Sequence, residues 1–109
     1  MAFSATLDTT ESGTAKITLT GELDASSAGI FKAEVENAAG TPGVKRLVLF
    51  IQELEYIASA GLRVLIFAKQ KMGADADIHI VGGQEQVLET LVKTGFNKSV
   101  IIQKTYEVA

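Results

Sequence analysis

The sequence has 109 residues, 47% of them hydrophobic, with 10 basic and 13 acidic residues and a formal charge of -3; this is enough apolar material for the core of one domain, which is expected to span 1–109. The basic residues are scattered rather than clustered, which excludes nucleic acid and anionic membrane as expected partners, and no apolar run nears the ~18 residues of a membrane span. Met1-Ala2-Phe3-Ser4 lacks a signal-peptide pattern, Cys is absent and His occurs once, so the expectations are a cytoplasmic setting, no disulfide, no metal and no cofactor.

In chain order, Phe3, Ala5 and Leu7 alternate with polar residues, and Ala15, Ile17 and Leu19 do so again after the turn Thr9-Thr10-Glu11-Ser12-Gly13. This predicts a hairpin of two strands, with Lys16, Thr18 and Thr20 on a solvated face. Past Gly21-Glu22-Leu23-Asp24, Ser26 or Ser27 can cap a helix over Ala28–Ala39 that turns Phe31, Val35 and Ala38 inward. Gly40, Pro42 and Gly43 break the chain before the apolar run Lys45-Arg46-Leu47-Val48-Leu49-Phe50-Ile51, the predicted middle strand of the sheet.

Gly61, Leu65, Ala68 and Met72 repeat at helical spacing over 60–72, with Gly73 as the stop. A strand over 77–81, a helix over 84–94 exiting through a left-handed Gly95, a short strand at Val100-Ile101-Ile102 and a tail over 103–109 complete the order β-β-α-β-α-β-α-β. The predicted fold class is α/β: a mixed, mostly parallel sheet with an N-terminal hairpin and helices packed on it.

Ser59 falls between the middle strand and the second helix, where it is expected as the N-cap, and two readings compete for it. It is only a cap, contributing about 1 kcal/mol, or it is an exposed hydroxyl open to a kinase, at a helix end whose amides tolerate a phosphate. Ser59, Arg63, Phe67 and Gln70 share one helical face, and Phe67 either stands exposed beside Arg63 as a contact residue or packs under a neighbouring loop. His79 has no Cys partner, Asp75 and Asp77 are assigned to solvent, and the Gly82-Gly83 turn lacks the rest of a phosphate-binding motif. Ser59, His79 and Asp24 show no nucleophile-elbow pattern, so no catalytic residue is assigned and an enzyme is not expected.

Gly21-Glu22-Leu23-Asp24, the strand Leu47-Val48-Leu49 and Tyr56-Ile57-Ala58-Ser59-Ala60-Gly61-Leu62-Arg63-Val64-Leu65 together resemble the STAS family, in its order and over nearly the whole chain. The resemblance implies a bacterial anti-sigma-factor antagonist. Such a protein binds an anti-sigma factor that is also a serine kinase of the GHKL ATPase type, freeing a sigma factor to regulate transcription; phosphorylation reverses the binding and a metal-dependent serine phosphatase resets the system. By the same resemblance Ser59 matches the phosphoacceptor, Gly61 the small residue after it and Asp24 the acidic loop residue; together with Ala58 and with Arg63 and Phe67 from the shared helical face, Asp24, Ser59 and Gly61 make up the expected partner surface. Ala58 stands where many relatives carry Asp, and Phe50, Gln52 and Glu53 replace what is commonly Asp, Ser and Gly. The alternatives are a STAS scaffold that is not phosphorylated and a small-ligand or nucleotide sensor supported by Gly82-Gly83.

Overall fold

The computed structural model describes residues 2–73 and 75–106. Its elements are β1 (Ser4–Asp8), β2 (Thr14–Leu23), α1 (Ala28–Ala39), β3 (Arg46–Ile57), α2 (Ser59–Met72), β4 (Asp77–Val81), α3 (Glu85–Lys93), a 3-10 turn (Phe96–Lys98) and β5 (Ile101–Gln103). The strands form a single five-stranded sheet in the order β1-β2-β3-β4-β5, antiparallel between β1 and β2 and parallel elsewhere. The predicted class, element order and central strand are those observed.

Each of the three crossovers moves one strand further in the same direction, so right-handed connections place α1, α2 and α3 on one face of the sheet. Their buried side chains accordingly form one cluster with Ala15, Ile17, Leu19, Leu47, Leu49, Ile51, Ile78 and Ile80. Val48, between two cluster members, is fully buried but belongs to the opposite, helix-free face.

The second half of β3 departs from strand periodicity. Ile51, Leu54 and Ile57 are buried while Gln52, Glu53, Glu55 and Tyr56 are exposed, a repeat of three rather than two. The pairing explains it: β3 gains a residue against β2 between the pairs Thr18–Phe50 and Thr20–Glu53, and another between Gly21–Leu54 and Glu22–Tyr56. Each such bulge rotates the next buried side chain back toward the helices. The apolar run that predicts the strand ends at Ile51, where Gln52 and Glu53 follow, whereas the paired strand continues six residues to Ile57.

Candidate functional site at the start of helix α2

The two bulges carry the chain to Ala58, whose N–H donates to the carbonyl of Leu23 at 2.8 Å and ties the end of β3 to the end of β2. Ala58 keeps an extended backbone, φ -94° and ψ 172°, and its carbonyl accepts from Gly61 (3.0 Å) and Leu62 (3.1 Å). The N-cap is therefore Ala58, and the expectation that Ser59 caps the helix is corrected: the strand stays paired as far as Ile57, opposite Leu23, and Ser59 becomes the first helical residue. No side chain caps α2. Ser59 is exposed, and its hydroxyl has no hydrogen-bond partner among the described residues.

Gly61 seats this helix start. A Cβ there would lie 2.6 Å from Leu23 Cγ and 3.0 Å from Ile57 Cγ1, so the small residue lets α2 rest on the ends of both strands. The neighbouring loop is shaped by Asp24. Its Oδ1 accepts from the Ser26 N–H (3.0 Å), the Ser26 hydroxyl (2.7 Å), the Ser27 N–H (3.3 Å) and the Ser27 hydroxyl (3.2 Å). The Ser26 hydroxyl is the main reason that the Asp24 carboxyl is held below its ordinary value of 3.8, so it is ionised at neutral pH. Ser27 is the N-cap of α1 by position, but its hydroxyl donates to the Glu22 carbonyl at 2.9 Å and makes no cap bond.

Along α2, Arg63 and Gln70 are exposed as expected of the Ser59 face, and Arg63 has no ion-pair or hydrogen-bond partner among the described residues. Phe67 is half-buried against the core, with the Lys32 ammonium 4.9 Å from its ring centroid. It sits at the seam between α1 and α2 rather than under a loop. The exposed apolar residue of the face is instead Ile66, 48% accessible, next to half-buried Leu62. These two line a cleft of about 300 Å³ with Thr94, Gly95, Phe96 and Ser99. The sequence carried the signal for Ile66, since it follows Ser59 by seven residues, two helical turns. Tyr56, 51% exposed just before Ala58, is a further surface aromatic that pattern reading passed over because the bulges turn it outward.

His79 lies on β4 and its Nδ1 bonds Gln103 Oε1 at 2.7 Å; Ser59 and Asp24 are not among its partners. The space beside Gly82 is filled by the Gln52 side chain and that beside Gly83 by Leu88 and Ile51. Among the described residues no group of three His, Cys, Asp or Glu is placed to hold a metal, and no helix is long and apolar enough to cross a membrane.

The family model for the STAS domain matches residues 6–109. The chain belongs to the STAS domain family. No curated protein matches the sequence. Among solved structures, this STAS domain is similar to an anti-sigma factor antagonist from Mycobacterium paratuberculosis, with TM-score 0.83 and 20% identity over 95% of this chain and 87% of the other. It is also similar to the anti-sigma factor antagonist SpoIIAA in its unphosphorylated form, with TM-score 0.74 and 15% identity over 94% and 90% of the two chains. The Bacillus cell fate determinant SpoIIAA in the phosphorylated form superposes with TM-score 0.71 and 16% identity over 91% and 90%. At these identities the likeness is one of fold.

Proposed function

We propose that this STAS domain is an anti-sigma-factor antagonist that acts by partner switching, a binding protein and not an enzyme. Unmodified, it docks through the start of α2 and the Asp24 loop onto an anti-sigma factor that is also a GHKL-type serine kinase, and a sigma factor is released to transcription. Transfer of a phosphoryl group from ATP to the Ser59 oxygen, with loss of the hydroxyl proton, ends the complex, and a metal-dependent serine phosphatase restores it by hydrolysis.

The observation that carries this reading is the uncommitted Ser59 hydroxyl. A serine that capped the helix would have to give up a hydrogen bond to be modified; Ser59 is exposed, one residue inside the helix, and gives up none. The N–H groups of Ser59 and Ala60 also lack acceptors among the described residues. First-turn amides favour an anion, so a phosphate of charge about −1.5 to −2 is tolerated by the host, and its effect falls on the docked partner as desolvation and repulsion. A scaffold role that does not use Ser59 is the second reading, and Ala58 in place of an acidic residue favours it.

Incubation with ATP and the cognate kinase, followed by intact-mass and peptide mass spectrometry, separates the two. A single phosphate on Ser59, absent from Ser59→Ala, is expected. Binding of the kinase without phosphate uptake would support the scaffold.

A further inference from the structure

The polar face of the hairpin, with Lys16, Thr18 and Thr20, is expected from the sequence to be wet, but Tyr106 covers part of the helix-free face to which it belongs. Tyr106 stands over that face, with its ring edge-on to Phe50 (centroids 6.1 Å, 84°) and to His79 (6.0 Å, 76°), and the Lys16 ammonium 5.4 Å from its centroid. Its hydroxyl donates to Glu11 Oε2 at 2.7 Å and accepts from Arg46 Nη1 at 3.2 Å. The second Glu11 oxygen meets Lys16 Nζ at 2.9 Å. A phenol ring and its hydroxyl are thus met by groups from the hairpin turn, β2, β3 and β4.

Two features distinguish this contact from chance packing. Both hydroxyl bonds are to charged groups, the strong class, and the donor and acceptor sides are read separately, by a carboxylate and a guanidinium. Two of the surrounding side chains also have partners other than the tyrosine, Glu11 in Lys16 and His79 in Gln103. Phe50, one of the residues that departs from the usual family pattern, supplies the aromatic floor.

A third feature shows that the closed state is not secured on every side. Among the described residues His79 Nε2 is buried with no hydrogen-bond partner, which is costly for a polar nitrogen.

We propose that the helix-free face carries a tyrosine-binding cradle, formed by Glu11, Lys16, Arg46, Phe50 and His79, which the chain's own Tyr106 occupies as a displaceable latch and which accepts a peptide tyrosine in its place. The site is separate from the Ser59 surface and does not depend on phosphorylation.

The test uses the full chain, wild type and Tyr106→Ala, titrated with a synthetic peptide of residues 103–109 and followed by amide NMR. The peptide shifts the resonances of Lys16, Arg46, Phe50 and His79 in Tyr106→Ala, and binds wild type at least about tenfold more weakly because the cradle is filled. A peptide with Ala in place of the tyrosine causes no shifts. If Tyr106→Ala is folded by circular dichroism and the peptide leaves these resonances unmoved, or if both peptides act alike, the proposal is overturned. Should that variant not fold, deuterium uptake by the wild-type tail decides: excess tyrosine peptide raises it when the latch is displaced, and unchanged uptake overturns the proposal.

Discussion

Ser59 and Tyr106 are two hydroxyl-bearing side chains in opposite circumstances. The Ser59 hydroxyl is exposed at a helix start with no partner among the described residues, whereas the Tyr106 hydroxyl is bonded on both sides and its ring touches three neighbours. The difference separates a group free to be modified from a group held by its neighbours. Removing the first should change binding and leave the fold alone; removing the second should cost stability.

The largest expected effect comes from disturbing the seat of the Ser59 region. Gly61→Ala drives a methyl group to 2.6 Å from Leu23 Cγ, and overpacking of this kind costs about 1–3 kcal/mol. A denaturant melt should show the midpoint falling with little change in slope, and an unshifted midpoint would mean that α2 does not rest on the strand ends. Next, Tyr106→Phe keeps the ring and removes both hydroxyl bonds, and should cost about 1 kcal/mol by the same measurement; no loss would place Tyr106 with Ser59 rather than opposite it.

Acid sharpens the contrast further. Lys16 first, then the Tyr106 hydroxyl, lowers the Glu11 carboxyl from 4.5 to about 2. A carboxyl depressed on folding contributes stability above its unfolded pKa and loses it as pH falls through the folded one. The contribution should therefore be complete above about pH 4.5 and fade toward pH 2, seen as a pH-dependent melt in wild type that flattens in Glu11→Gln. The smallest effect belongs to Ser59→Ala. Because Ser59 does not cap α2, stability should change by no more than about 0.5 kcal/mol, against about 1 for the loss of a true cap.

The elements were legible because their signals are local. The boundaries of α1, the left-handed Gly95 (φ 77°) with Phe96 folded inward, and the central place of β3 all follow from periodicity and glycine chemistry. The segment leading to the site was less so. Two bulges replace alternation by a repeat of three between Ile51 and Ile57, and their register is set by pairing with β2, a long-range property. The consequences were a strand read too short, Ser59 placed at the cap instead of one residue inside, and Tyr56 overlooked as a surface residue. Tyr106 was equally invisible, since nothing near it in sequence marks Glu11, Arg46 or Phe50 as its neighbours.

The most direct test of the central claim is the affinity of the anti-sigma partner for the chain carrying phosphoserine at 59 and for the unmodified chain, measured by calorimetry with the melting temperature of each form alongside. The partner-switching account predicts that the phosphate weakens binding at least about tenfold, equivalent to about 1.4 kcal/mol, while the two forms melt alike. Equal affinities would contradict it and leave a scaffold that does not use Ser59.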